Sequence, residues 1–538
     1  MKRRDFIKNT APVAVLPFFT QGLSMAAYAE NAFMNALFRP EIDTDRVLVI
    51  IQMSGGNDGL NTVIPLDQYS ALTAARGNIV LPQSSVLTLN GAPNTGLHTS
   101  MTGMKTLFDS QKLSIVQGVS YPNPNFSHFR GTDIWNSAAN STQMLNSGWI
   151  GRYLNNEFPN FPQGYPNATM PDPLAIQIGS VLSPMFQGLS MNLAQAVPVD
   201  FTGSLAQLVP GGNDPVPPTN AGVELAFIRA QQVQANQYAA IIQSAYSGGT
   251  NLATYPAPPP NGGGFSASKL GAQLKTVARL IKGGLKTRVY TVTIGGFDTH
   301  SDQVVAADHT TGNHANNLKE LSDAIFAFQE DLRLMSLEDR VLGMTFSEFG
   351  RRVASNASGG TDHGAGAPTF LFGSKVQGGV LGSNPIIPTA ATVNDNVAMQ
   401  YDFRSIYLTI LEEWFCLDAP TATSMLLQTP PTIPILNTIC AVPTHNAANQ
   451  KAGDAYIRCY PNPCRAYTFV EFEAIEGKNI LIELYNETGQ LLRTVQDGQL
   501  SAGVHELRVS TADLAAGNYY CRYQSGEVLQ TKSIIVLQ

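Results

Sequence analysis

The run Arg46-Val-Leu-Val-Ile-Ile-Gln52 is continuously apolar at its centre and ends in the turn-forming stretch Ser54-Gly-Gly-Asn-Asp-Gly59. Such a run reads as a strand buried on both faces, the situation of a parallel sheet. The pattern recurs. Strands are predicted at 112–118, 287–294, 340–346 and 368–373, and helices at about 127–139, 267–282, 314–333 and 406–415. Strands alternating with helices predict an α/β domain, doubly wound around a mostly parallel sheet. In such a sheet ligands gather beyond the carboxyl ends of the strands. The stretch 155–265 is poorer in signals; it holds one convincing helix, at 223–247, and a Pro/Gly-rich loop at 256–264.

The two ends have other characters. Met1-Lys-Arg-Arg-Asp-Phe-Ile-Lys8, an apolar run at 11–19 and Ala27-Tyr-Ala29 read as an export signal with a small-residue cleavage site, so 1–29 is set apart from the fold. The paired arginines resemble a twin-arginine signal, an address read by a receptor. After a polar linker at 444–455, short alternating segments separated by turns predict a C-terminal all-β sandwich over 456–538, leaving 30–443 for the α/β domain. No later run reaches the roughly 18 apolar residues of a membrane span, so membrane association is expected to be peripheral at most. Net charge is −7 with no long basic run, which argues against nucleic acid as a partner. Of five cysteines, Cys459 and Cys464 flank a Pro-Asn-Pro turn and could close a small loop in an oxidising compartment.

Candidate chemistry sits at the strand ends. Asn57 and Asp58 follow the first strand, and Ser127 and His128 follow the second at a helix start. Asp298 and His300 follow the 287–294 strand, Glu348 ends the next, and Asp362 and His363 precede the last. Carboxylates and imidazoles are ligands for ions such as Zn or Mn, with Ca a further candidate for the carboxylates. Ser127 could be only a helix cap, and Glu348 only a partner for Arg351 or Arg352. Those two guanidinium groups could also meet an anionic substrate.

Two resemblances add to this reading. Met53-Ser-Gly-Gly-Asn-Asp-Gly-Leu-Asn61, Asn125-Phe-Ser-His-Phe129, Gly148-Trp-Ile-Gly151, Gly296-Phe-Asp-Thr-His-Ser301, Phe346-Ser-Glu-Phe-Gly-Arg351 and Asp362-His-Gly364 resemble the bacterial family called domain of unknown function 1501. That family is similar to the alkaline phosphatase and sulfatase superfamily. The resemblance implies an alkaline-phosphatase-like sheet and a divalent metal site that cleaves phosphate or sulfate esters, free or glycan-linked. It implies Asp58 as a metal-bridging acid, Ser127 as nucleophile with His128 beside it, and Asp298, His300 and His363 as ligands. Glu348 stands where the superfamily usually has Asp followed by His, here Phe349; alternatively Asp362-His363 is that pair. Asn57, Arg351 and Arg352 are then substrate contacts. The rival is a non-catalytic surface protein that binds a glycan or anion on the same scaffold. Tyr460-Pro-Asn-Pro463, Leu484-Tyr-Asn-Glu-Thr-Gly-Gln490 and Leu514-Ala-Ala-Gly-Asn-Tyr519 resemble the C-terminal sorting domain of the type IX secretion system of Bacteroidetes. This implies passage through the periplasm to the cell surface or beyond, with the secretion machinery as partner.

Overall fold

The computed structural model describes residues 45–440 and 457–536, apart from 159–160, 163, 189–190, 200, 206–218, 258–269, 439, 461–463, 465, 475–477, 487–489, 516 and 526–527. The expected signal at 1–29 and linker at 444–455 lie outside the described residues. The chain divides between Cys440 and Ala441 into two compact units.

The larger unit is built on nine strands: β1 (Val47–Met53), β2 (Leu113–Ser120), β3 (Ala175–Ile178), β4 (Ala194–Val197), β5 (Val289–Ile294), β6 (Val341–Phe346), β7 (Ala367–Phe372), β8 (Gly379–Leu381) and β9 (Tyr401–Asp402). Their order across the sheet is β8-β2-β7-β6-β1-β5-β3-β4, with β9 beside β2. Every pairing is parallel except those of β7, which runs against both β2 and β6. The doubly wound, mostly parallel sheet expected from the strand–helix rhythm is therefore what the chain builds.

Both faces of β1 are covered, as its apolar run requires. Leu48 and Ile50 enter one core with Ile134, Trp149 and Tyr407. These come from helices α2 (His128–Ser137), α3 (Trp149–Glu157) and α6 (Phe403–Thr409). Val47, Val49 and Ile51 enter the other core with Leu107, Val277 and Leu321. These come from α1 (Thr102–Asp109), α4 (Leu270–Lys282) and α5 (Asn313–Leu334). Trp149 stacks on Tyr407 with ring centroids 4.0 Å apart, and Trp135 on Phe403 at 4.4 Å. Each such pair adds about 0.5–1.5 kcal/mol beyond its buried area. Among the described residues no helix is long and apolar enough to cross a membrane.

In the smaller unit the described strands pair antiparallel. Ile457–Tyr460, Tyr467–Ala474 and Gly503–Ser510 form one sheet; Asn479–Asn486, Leu491–Gln499, Gly517–Ser525 and Val528–Val536 form another. Val470 and Phe472 of the first share a core with Ile480, Ile482, Leu484 and Tyr523 of the second, so the unit is the expected sandwich. The loop between Cys459 and Cys464 is not closed: both are free, and the disulfide joins Cys416 to Cys440. Cys464 is buried with its Sγ 3.6 Å from the Thr511 hydroxyl. Cys459 hydrogen-bonds Cys521 instead, which together with burial pushes the Cys521 thiol far up.

Candidate metal centre

The carboxyl ends of β1, β2, β5 and β6 open onto one rim of the sheet. Because β7 runs the other way, its start lies there too, with Ala367 opposite Val119 near the end of β2. The antiparallel strand thus delivers His363 to the groups that follow the parallel strands. A two-residue pairing of Arg351 with His363 holds the two loops together. Gly55 has φ +122°, and a Cβ there would lie 2.3 Å from the Asp298 backbone nitrogen. Glycine is what lets the first loop pass this close to the site.

Asp298 is the hub. Its Oδ1 lies 3.2 Å from the Nε2 of both His300 and His363, and its Oδ2 lies 3.4 Å from His128 Nε2. The ligand atoms of His128, Asp298 and His363 are all within 4.8 Å of one another. Each imidazole is fixed through its other nitrogen: His128 Nδ1 on Glu348 Oε1 at 2.8 Å, His300 Nδ1 on Asp362 Oδ1 at 3.1 Å, and His363 Nδ1 on the Phe126 carbonyl at 2.8 Å. A carbonyl only accepts, so His363 Nδ1 carries a proton, and in the neutral ring its Nε2 is an acceptor. The carboxylate acceptors impose the same tautomer on the other two rings. Yet the Nε2 atoms of His300 and His363 are only 2.9 Å apart. Two lone pairs facing each other beside a carboxylate repel unless a cation or a proton lies among them.

Separations of 3.2–3.4 Å to Asp298 match the roughly 3.3 Å between ligands of a tetrahedral ion with bonds of about 2.0 Å. Hydrogen-bonded outer partners on each histidine are the usual companions of such a centre. The donor set therefore fits a divalent metal. Three imidazoles and one carboxylate suit Zn, or secondarily Mn, while Ca prefers oxygen alone. Phe349, standing where the resemblance implies a histidine, packs on the rings of His128 and His363 at 4.9 and 4.5 Å.

The electrostatics agree with an anionic hub. Burial pushes the Asp298 carboxyl up, but the Arg351 hydrogen bond and charge, with His363 and His300, outweigh it and hold it at about 2. The Glu348 hydrogen bond raises His128, whereas burial lowers His363.

Several expected roles change. Glu348 is 1% exposed, bound to the Gly55 N–H as well as to His128; it orients an imidazole. Asp362 likewise orients His300. Glu348→Gln is expected to weaken metal affinity by about 10–100-fold without unfolding the protein, as read by metal titration. Arg351 is a strut: fully buried, it donates to the carbonyls of Gly55, Gly56, Phe297 and Thr361 and to Asp298, leaving nothing for a substrate. Asn57 is 1% exposed, its Oδ1 taken by the Thr62 hydroxyl.

The structure gives Asp58 a partner other than a metal. It is fully buried, and one Arg76 nitrogen lies 2.8 Å from both of its oxygens. Gln303 donates to it at 2.6 Å and accepts from Thr299 and Thr361, the residues before His300 and Asp362. Arg76, Gln303, His98 and His314 were absent from the sequence reading, because each makes its contact across long stretches of chain with no local motif. The Phe126 carbonyl was also missed, since backbone groups leave no compositional trace. Ser127 is exposed, and its side chain does not cap α2. It lies between Phe126, which holds His363, and His128.

Residues 182–412 match the family described as a protein of unknown function (DUF1501). No curated protein matches the chain. Solved structures that resemble it include an alkaline phosphatase superfamily protein from Vibrio parahaemolyticus (11% identity, 86% of this chain and 90% of that one, TM-score 0.31). A sulfatase from Pseudoalteromonas sp. (8% identity, 91% and 89%, TM-score 0.31) and an alkaline phosphatase from the Antarctic bacterium TAB5 (10% identity, 61% and 92%, TM-score 0.25) are also among them. Residues 458–537 match the secretion system C-terminal sorting domain, a match that indicates type IX secretion to the cell surface or the extracellular space.

Proposed function

We propose that this exported chain is a metal-dependent hydrolase of phosphate or sulfate esters, with the ion held by Asp298, His128, His300 and His363. The observation that carries this reading is the pair of Nε2 atoms 2.9 Å apart beside the Asp298 carboxylate, each ring holding an acceptor at its Nδ1. A bound Zn or similar ion would supply Lewis-acid stabilisation of ester charge and would lower the pKa of a nearby hydroxyl. The chain supplies the rest. Ser127 offers a hydroxyl that its own helix does not use, at the start of a ten-residue helix whose positive end favours an anionic ester. Glu348, Asp362 and the Phe126 carbonyl keep the imidazoles in the metal-binding tautomer.

Purified mature protein should contain close to one equivalent of Zn or Mn by elemental analysis, and His363→Ala should lose it. Hydrolysis of a nitrophenyl phosphate or sulfate should fall by a factor of about 10² or more in Ser127→Ala, with the metal retained. Metal without turnover in the wild type would favour the anion-binding alternative. No metal in either protein would end the proposal.

A further inference from the structure

Next to the cluster lies a cleft of about 360 Å³. One wall is the loop after β2, with Tyr121, Pro122, Pro124 and Phe126; the other is the segment bearing Val397 and Met399. It adjoins the metal centre through two wall residues: Phe126, whose carbonyl holds His363, and Ala365, two residues beyond that histidine. The volume falls at the low end of the about 300–1,000 Å³ of small-ligand pockets.

The cleft's polar groups are few, and Asn396 Nδ2 already donates to the Asn394 carbonyl at 3.2 Å. Asn123 and Asn396 line it. Asn123 is exposed, holds φ at +54°, and its amide bonds to nothing among the described residues. Arg352 stands alongside. Its backbone bridges to Asn396, and its guanidinium lies 5.1 Å over the Phe126 ring. In contrast to its neighbour Arg351, it is held by one side-chain hydrogen bond, to the Asn394 carbonyl, so most of its donor fork is free. Flat apolar walls, two amides and a guanidinium with one hydrogen-bond partner, its charge also felt by Asp395, match a sugar ring that has apolar faces, a hydroxyl rim and a nearby negative group.

We infer that this cleft is the subsite for an anionic glycan, with Arg352 contacting a sulfate, phosphate or carboxylate group on the sugar and Asn123 and Asn396 its hydroxyls. The inference deepens the hydrolase reading by naming the carrier of the ester, and it rests on that reading only for what happens at the metal.

The test is equilibrium binding at physiological salt of dextran sulfate oligosaccharides, with dextran of the same length as the uncharged control. The mature protein should bind the sulfated chain and not the neutral one. Arg352→Ala should weaken binding about tenfold or more, with Arg352→Lys recovering part of it. Asn123→Gly should weaken binding about three- to tenfold. Glycine relaxes the positive φ there, so lost binding in that variant cannot come from lost folding. Wild-type protein that binds the sulfated chain but holds no metal and hydrolyses no ester sinks the hydrolase and leaves the subsite standing. Failure of the wild type to prefer the sulfated chain, or equal binding by Arg352→Ala and Asn123→Gly, overturns the subsite.

Discussion

Arg76→Met should destabilise the larger unit by about 3–5 kcal/mol. Asp58 and Arg76 are both fully buried, and a lone carboxylate left in that interior has only the Gln303 amide to meet it. The guanidinium also donates to the Val353 and Arg352 carbonyls, which would be stranded with it. Replacing both charges with apolar groups, as in Asp58→Leu/Arg76→Met, should recover a large part of the loss, because no uncompensated charge then stays buried. All three tryptophans, Trp135, Trp149 and Trp414, lie in the larger unit, so their fluorescence in a urea titration reports that unit alone. The same pair separates two roles for Asp58. If it is one half of a buried strut, Asp58→Asn lowers the urea midpoint and leaves the metal stoichiometry unchanged. A drop in bound metal at unchanged stability would restore Asp58 to the ligand set.

Legibility in the sequence followed burial. β1, β5 and β6 were readable because a strand covered on both faces needs an unbroken apolar run, and their positions agree with expectation within a residue or two. The direction of β7 was not readable: Ala367–Phe372 is buried throughout, and burial alone does not distinguish parallel from antiparallel pairing. Leu491–Gln499 was missed because none of its residues is buried, so a core-facing alternation never appears. At the site, groups on strand-end loops were identified as candidates, and His128, Asp298, His300 and His363 do converge. What could not be read was the division of labour. Arg351 and Arg352 are adjacent and chemically identical, yet one is sealed under the loops and the other is partly exposed over the Phe126 ring. Only the three-dimensional path of the 350–363 hairpin decides which.

Acid should weaken the larger unit well above the pH at which carboxylates titrate. His98 and His314 are each 1% exposed. Burial, with the charge of His314, holds His98 at about 3, and burial lowers His314 to about 4 despite the pull of Asp58. Both folded values lie below the unfolded value of about 6.5. Above that value both states carry neutral imidazoles and nothing changes with pH. As pH falls below it the unfolded chain takes up protons that the folded chain refuses, so stability is lost. Each histidine contributes a slope of up to about 1.4 kcal/mol per pH unit, and the pair a loss on the order of 5 kcal/mol by pH 4. Asp58, whose carboxyl burial raises but Arg76 and His314 pull below its ordinary value, adds loss in the same direction only below about pH 4. His128, raised chiefly by the Glu348 hydrogen bond, acts oppositely near the top of the window, but it is partly exposed and screened. Urea titrations followed by tryptophan fluorescence between pH 7 and pH 4.5 should show the slope. His98→Asn, which keeps an acceptor for the Ser100 N–H that His98 Nδ1 now binds, should cut it by about half. A stability that stays flat from pH 6.5 to 4.5 would mean that the fold admits a proton to these rings, and that the surroundings of Asp58 are wetter than their burial implies.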